Sequence, residues 1–127
     1  MSARIMVVDD EWLIRELMEN VLRLNGYEVM LAHNGEQALK MAQDTPPDLI
    51  LLDLRMPGMD GYDVAREIKN NPVTQQAIVV MMSGVQGTAA ERAEAEDAGA
   101  DDFLSRSLPT QALVARLAAL LEARQNP

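Results

Sequence analysis

The hydrophobic positions of this chain alternate between two patterns. Short apolar runs are typical of the buried strands of a parallel sheet, whereas apolar residues spaced by three and four are typical of helices packed on one face. Five runs predict strands, at residues 4–8, 27–32, 48–52, 77–82 and 100–104. A helical segment follows each run, so the sequence predicts five βα units.

Helix boundaries are marked by capping residues. Asn34 and Thr88 are each followed three residues later by Gln or Glu, which is the pattern of a capping box at a helix start. Gly26 and Gly99 are suited to the residue just after a helix, and Pro109 to the first turn of the last helix. These residues place the predicted helices between the strands.

A βα repeat makes a parallel sheet with right-handed crossovers. Five units are too few for an eight-fold barrel, so we expect an α/β fold that is an open, flavodoxin-like three-layer αβα sandwich with strand order 2-1-3-4-5. The chain shows no repeat or linker. We therefore expect residues 1–127 to form a single domain with no effector domain.

Composition narrows the function classes. The net charge of −9 argues against nucleic acid as a direct partner, because no basic stripe is available to neutralise phosphates. The absence of cysteine excludes disulfides and thiol chemistry. The longest apolar run is far shorter than a membrane span, and the N-terminus lacks the shape of a signal peptide. We expect a soluble, cytoplasmic protein.

Acidic residues follow two of the predicted strands. Asp9 and Asp10 come directly after the first strand, and Asp53 follows the third. In the order 2-1-3-4-5 these strands are neighbours at the switch point, where ligands of open α/β sheets bind. The three carboxylates should therefore converge. The alternative is that they are unrelated acids that merely begin turns.

Three converging carboxylates repel one another, and a divalent cation relieves that repulsion. Mg²⁺, or Mn²⁺ in its place, could be bound directly by Asp10 and Asp53 and through a water molecule by Asp9. A carboxylate can also be the nucleophile in phosphoryl transfer, which makes Asp53 a candidate phosphoacceptor. Ser83 and Arg106, at the ends of the fourth and fifth strands, would supply a hydroxyl and a cation.

Four segments resemble the receiver domain of the bacterial two-component response regulators. They are VVDDE at 7–11, DLRMPGMDG at 53–61, MSG at 82–84 and GADDFL at 99–104. The resemblance implies that Asp53 accepts a phosphoryl group from a phosphohistidine of a sensor histidine kinase or a His phosphotransfer protein. It also implies Mg²⁺ bound by Asp10, Asp53 and the backbone carbonyl of Arg55, with Ser83 and Phe103 as switch residues. The side chain of Arg55 is expected to lean over the phosphorylation site.

One position departs from the family pattern. Arg106 and Ser107 stand where the family has Lys followed by Pro. A planar guanidinium is not equivalent to a compact ammonium. A cis bond before a non-proline residue costs about 2.5–4 kcal/mol, so we expect the 106–107 peptide to be trans. Our hypothesis is that phosphorylation is retained while signal transmission or phosphate lifetime is altered.

The fourth helix should be held weakly, because it carries no apolar side chain larger than Ala. Its acidic face is either simply solvated or part of an interaction surface. The resemblance implies that this helix, the fifth strand and the last helix form the output face, for an unknown partner or a homodimer. In the second case its acids could pair with Arg116 and Arg124 across a two-fold axis.

Three function classes remain. The first is a switch that catalyses its own phosphorylation and dephosphorylation but turns over no metabolite. The second is a pseudo-receiver, a protein-interaction module that no longer uses phosphate. The third is an Asp-nucleophile phosphatase, which would require a second Asp where this chain has Arg55.

Overall fold

The computed structural model describes residues 2–84 and 87–125, and its sheet has the predicted topology. Five parallel strands lie in the order β2-β1-β3-β4-β5. The strands are Arg4–Val8 (β1), Glu28–Ala32 (β2), Leu49–Asp53 (β3), Ile78–Ser83 (β4) and Asp102–Ser105 (β5). The helices are Trp12–Leu24 (α1), Gly35–Asp44 (α2), Gly61–Asn70 (α3), Ala89–Asp97 (α4) and Thr110–Gln125 (α5).

The sheet is most deeply buried at its centre. All five residues of β3 are buried, whereas the edge strands β2 and β5 bury one residue each. This follows from position, because a central parallel strand is covered by helices on both faces. The centre of the sheet is therefore its most rigidly packed part, and the carboxyl ends of β1 and β3 lie there.

Alternate residues of the strands build a hydrophobic core on each face. Ile5, Leu49 and Val80 point toward the side covered by α1 and α5. Met6, Ile50 and Met81 point toward the side covered by α2, α3 and α4. The side-chain period of two in a strand produces this division. The last helix buries the stripe formed by Leu113, Leu117 and Leu121.

The capping predictions at Asn34, Thr88, Gly26 and Gly99 are confirmed. Pro109 lies one residue before α5 instead of in its first turn, and its carbonyl accepts the amide of Leu113. The side chain of Asn34 accepts the amide of Gln37, and Thr88 forms a full capping box with Glu91. Gly26 and Gly99 have φ of 90° and 96°, the left-handed conformation typical of the residue after a helix.

The fifth strand begins two residues later than predicted. The amide of Ala100 donates to the carbonyl of Ala95, and the amide of Gly99 to that of Glu96. These two hydrogen bonds close α4 in a Schellman motif. Ala100 therefore belongs to the end of the helix, and the chain joins the sheet only at Asp102.

The loop after β5 has the expected peptide geometry. Among the described residues no peptide bond is cis, so the bond from Arg106 to Ser107 is trans. The amide of Arg106 donates to the carbonyl of Ser83 at 3.3 Å, which fixes the start of this loop to the end of β4. Arg106 is thereby positioned at the same edge of the sheet as the strand-end acids.

Candidate functional site

Three carboxylates converge where β1 and β3 end. Val8 pairs with Leu52 across the two strands, so Asp9 and Asp53 leave the sheet side by side. One carboxylate oxygen from each of Asp9, Asp10 and Asp53 lies within 4.8 Å of the others. Asp9 and Asp53 are only 5% and 6% exposed, whereas Asp10 is exposed. The three acids therefore converge as the sequence predicted.

Burial sets the electrostatics of this cluster. Loss of hydration raises the pKa of Asp53 above its ordinary value, although the hydrogen bond and charge of Arg106 act in the opposite direction. Burial likewise raises the pKa of Asp9, with Asp53 and Asp10 adding repulsion. An apolar cavity of about 160 Å³ beneath α1 borders both carboxylates and contributes to their poor solvation. Added positive charge would therefore be strongly favoured here.

Arg106 places its guanidinium among these acids. Its Nη2 lies 2.6 Å from Oδ1 of Asp53 and 3.0 Å from Oδ2 of Asp9, while Nη1 lies 3.8 Å from Oε2 of Glu11. Burial alone would lower the pKa of Arg106, but its contacts with Asp53 and Asp9 raise it. Burial therefore decides the direction of the pKa shift at Asp53, whereas at Arg106 the ion pairs together outweigh burial. The guanidinium stays charged.

The predicted switch residues lie beside β4 and β5. Ser83 is buried, and its hydroxyl donates to the carbonyl of Gly84 at 2.9 Å or to that of Leu104 at 3.3 Å. Phe103 is buried in the core on the α4 side, and the guanidinium of Arg92 lies 5.2 Å from its ring centroid. Both residues occupy the edge of the site toward α4.

Two glycines of the site were missed by the sequence analysis. A methyl group at Gly61 would lie 2.7 Å from the carbonyl oxygen of Asp53, so only glycine lets α3 start against that backbone. A methyl group at Gly87 would lie 2.8 Å from both the hydroxyl of Ser83 and the ring of Phe103. Glycines next to a strand end and a helix cap are a signal of such close approach.

The side chain of Arg55 does not lie where it was expected. Its guanidinium does not lean over the carboxylates but pairs with Glu91 of α4, with Nη2 2.8 Å from Oε2. Its backbone amide lies 3.4 Å from Oδ1 of Asp53. The capping box orients the Glu91 carboxylate, which explains why the long Arg55 side chain reaches α4 instead.

The arginines expected to pair across a dimer are engaged within the chain. Nε of Arg116 lies 2.6 Å from Oδ2 of Asp102 in β5. Nη1 of Arg124 donates to the carbonyl of Asp48 at 2.7 Å. On α4 itself, Glu91 pairs with Arg55, and Asp97 lies 3.7 Å from Arg66. The acidic face of α4 is thus partly neutralised by its own chain.

The donor set fits a hard divalent cation. Carboxylate oxygens are the ligands of Mg²⁺ in proteins, and one or two carboxylates usually suffice. The guanidinium of Arg106 already occupies a position between Asp9 and Asp53, which demonstrates that the cluster accommodates positive charge. The same arrangement combines a buried carboxylate with a cation that could bind phosphoryl oxygens.

Comparisons with known proteins agree on one family. A family model described as response regulator receiver domain matches residues 5–118. The response regulator MprA of Mycobacterium ulcerans is 40% identical over 121 residues, which is 95% of this chain and 51% of that protein. The chain therefore spans about half the length of the curated relatives it matches.

Solved structures show the same fold. A putative response regulator from Chloroflexus aurantiacus has a TM-score of 0.89 at 33% identity, covering 96% of this chain and 99% of that one. The chemotaxis protein CheY4 of Vibrio cholerae has a TM-score of 0.88 at 26% identity, covering 94% and 98%. Among the described residues, no helix is long and apolar enough to cross a membrane.

Proposed function

This chain belongs to the response regulator receiver domain family, whose members are phosphorylation-based signalling switches, and we propose that Asp53 is its phosphoacceptor. The observation that carries the proposal is the convergence of Asp9, Asp10 and buried Asp53 with the guanidinium of Arg106 at the ends of adjacent strands. A phosphorylation-independent pseudo-receiver receives no support, since these charged groups are assembled.

The reaction is a transfer between two nucleophiles. A carboxylate oxygen of Asp53 attacks phosphorus, the bond from phosphorus to the histidine nitrogen of the donor breaks, and the imidazole leaves with a proton from solvent. An acyl phosphate on Asp53 results. Arg106 binds the phosphoryl oxygens, and the hydroxyl of Ser83 donates to one of them.

Asp9, Asp10, Asp53 and the backbone carbonyl of Arg55 would hold Mg²⁺. The ion would neutralise negative charge that gathers on the phosphoryl oxygens. The residues of the chain do the positioning. β1 and β3 fix the carboxylates, and the hydrogen bond from the amide of Arg106 to the carbonyl of Ser83 in β4 fixes the guanidinium beside them.

The donor in this proposal is a phosphohistidine of a sensor histidine kinase or a His phosphotransfer protein. The output face in this proposal is α4, β5 and α5. Phe103 lies in β5, and Ser83 pairs with Ser105 of that strand. It would serve an unknown partner or a second copy of the chain. The mass in solution before and after phosphorylation, measured by light scattering, tests the homodimer.

Incubation with acetyl phosphate and Mg²⁺, followed by intact mass spectrometry, tests the phosphoacceptor. We expect one added phosphoryl group in the wild type and none in Asp53→Asn. Asp48→Asn is the matched control, because Asp48 lies at the opposite end of β3 and should leave labelling unchanged. Labelling that persists in Asp53→Asn would contradict the assignment.

A further inference from the structure

Arg106 stands on a tight turn directly after β5. The carbonyl of Ser105 accepts the amide of Leu108 at 3.1 Å, which closes a β-turn. Arg106 and Ser107 are the two central residues of this turn. The amide of Arg106 donates to the carbonyl of Ser83 at 3.3 Å, which ties the turn to the end of β4. The backbone of the turn therefore sets the direction in which the Arg106 side chain leaves the sheet.

A side chain closes the same turn a second time. The hydroxyl oxygen of Ser105 accepts the amide of Ser107 at 3.1 Å and lies 2.8 Å from the hydroxyl oxygen of Ser107. It also lies 3.4 Å from the carbonyl oxygen of Gly84, the residue after β4. A serine hydroxyl that accepts the amide two residues further on is a recurrent device of tight turns. The turn around Arg106 is thus closed by a backbone hydrogen bond and by a side-chain hydrogen bond.

The side-chain hydrogen bond is possible because residue 107 is not a proline. Serine has a backbone amide that proline lacks, and its φ is free where the ring of proline fixes that angle. Ser107 stands where the family has Pro, so this chain has one more donor to satisfy and one more torsion to restrain. The hydroxyl of Ser105 does both, since it accepts that amide and holds residue 107 against the end of β5.

We infer that Ser105 is a positioning residue of the phosphorylation site: its hydroxyl fixes the turn that aims the guanidinium of Arg106 at the phosphoryl group. The inference rests on the proposed function, in which Arg106 binds phosphoryl oxygens. In this role Ser105 acts through Arg106 and not by contact with the phosphoryl donor.

A long side chain amplifies small changes of its backbone. Nη2 of Arg106 lies 2.6 Å from Oδ1 of Asp53, at the far end of a flexible side chain. Rotation of the backbone at residue 106 moves that end much further than it moves the Cα atom. A displacement of about 1 Å at a reacting group can cost about 10²-fold in rate. A hydroxyl in the turn can therefore affect phosphoryl transfer to Asp53.

The rate at which acetyl phosphate with Mg²⁺ labels Asp53 in the full chain, followed by intact mass spectrometry, tests the inference. Ser105→Ala removes the acceptor of the Ser107 amide. We expect labelling about fivefold slower than in the wild type, the factor that corresponds to the loss of one hydrogen bond. Ser105→Thr keeps the hydroxyl, and its rate should stay within about twofold of the wild type. Equal slowing in Ser105→Thr and Ser105→Ala would overturn the inference.

Ser107→Ala is the matched control. It removes a hydroxyl from the same turn but keeps the amide that Ser105 accepts. We expect its labelling rate to stay within about twofold of the wild type. Slowing as large as that of Ser105→Ala would show that the hydrogen bond to the amide is not what matters, and would overturn the inference.

A double-mutant cycle shows whether Ser105 acts through Arg106. In Arg106→Gln the guanidinium that the turn aims is absent, so adding Ser105→Ala should change the labelling rate by less than about twofold. The same loss of rate in both backgrounds would show that Ser105 supports the fold and does not position the guanidinium. That outcome would also overturn the inference.

A spectroscopic readout does not depend on labelling. The ¹⁵N and ¹H signals of Nε in Arg106 are assigned by their loss in Arg106→Gln. We expect them to keep their wild-type position in Ser105→Thr and to move toward the position of solvent-exposed arginines in Ser105→Ala. Signals that stay in place in Ser105→Ala would contradict the positioning role.

The proposed function and this inference fail in different ways. If acetyl phosphate labels neither the wild type nor any variant, the proposed function fails and the inference falls with it. If the wild type is labelled at Asp53 and Ser105→Ala is labelled at the same rate, only the positioning role of Ser105 fails.

Discussion

Helices α3 and α4 lie in the same layer, yet they are held by different forces. α3 buries Tyr62, Val64, Ala65 and Ile68, while α4 buries one residue, Ala95. Burying a large aliphatic side chain stabilises by about 1.5–3 kcal/mol, and an alanine methyl contributes far less. α3 is therefore fixed by the core, and α4 depends on something else.

Polar contacts hold α4 to its neighbours. Arg55 pairs with Glu91 at 2.8 Å, the hydroxyl of Tyr62 donates to the carbonyl of Glu91 at 3.3 Å, and Asp97 lies 3.7 Å from Arg66. Contacts of this kind at a surface are weak and sensitive to charge. The helix beside Ser83 and Phe103 is therefore the one that a change of charge can release.

The largest effect is expected from the buried side chains of α3. Ile68→Ala should lower the free energy of unfolding by about 2–5 kcal/mol, because it removes atoms from a packed core. Ala95→Gly, which deletes the buried methyl group of α4, should cost only about 1 kcal/mol. Urea unfolding followed by circular dichroism measures both.

Val73→Ala is the control, because Val73 is an exposed apolar residue beyond α3. This substitution should change the free energy of unfolding by no more than about 0.5 kcal/mol. Equal losses of unfolding free energy in Ile68→Ala and Ala95→Gly would show that the core does not hold α3 more firmly than α4.

Amide exchange compares the two helices without mutation. We expect the amides of residues 92–97 to exchange at least about tenfold faster, after correction for intrinsic rates, than those of residues 64–68. The cause is the small apolar area that secures α4. Amides of β3 give the reference for global opening. Protection of α4 equal to that of β3 would contradict a mobile fourth helix.

The N-caps of α3 and α4 provide a further test of how differently the two helices are held. Asp60 accepts the amide of Asp63 at the start of α3, and Thr88 accepts that of Glu91 at the start of α4. Replacing either by Ala should cost about 1 kcal/mol of helix stability. We expect Asp60→Ala to lower global stability in urea, because α3 is part of the core.

Thr88→Ala should instead lower mainly the local opening free energy of α4, seen as faster exchange with little change in the urea midpoint. If Thr88→Ala shifts the urea midpoint as much as Asp60→Ala does, α4 unfolds together with the core and the two helices are equivalent.

The smallest effect is expected from the charged contact between Arg55, near Asp53, and Glu91 of α4. Arg55→Gln removes the charge that pairs with Glu91, so exchange in α4 should accelerate by about two- to threefold while α3 stays unchanged. Arg66→Gln is the matched control, because its contact with Asp97 is longer and Asp97 is more exposed than Glu91, so its effect on α4 should be smaller. A larger effect of Arg66→Gln would show that the Arg55 contact does not secure the helix.

Much of the fold could be predicted because its signals are local. The five apolar runs mark the strands. The helix ends are marked by the capping residues Asn34 and Thr88, both confirmed, and by the glycines at 26 and 99. The open parallel sheet followed from the number of βα units and their right-handed crossovers. The order 2-1-3-4-5 was expected as the flavodoxin-like order of such a sheet, and it is confirmed. The start of β5 was misplaced because the Schellman bond of Ala100 extends the helix end beyond the apolar pattern.

Which acids meet follows from where they stand in the amino-acid sequence. Asp9 and Asp53 each end a buried strand, and parallel strands that are neighbours bring their carboxyl ends together whatever the side chains do. The amino-acid sequence also determines that α4 has no large apolar side chain, since that is a matter of composition.

Which charged side chains pair with one another depends on the folded structure. Arg106 pairs with Asp9, which stands 97 positions earlier in the sequence. Arg55 pairs with Glu91 and not with the acids beside it. Gly87 is needed because its own backbone lies close to Ser83 and Phe103. Long flexible side chains reach several partners, and the choice among them depends on distances and rotamers that appear only once the chain is folded.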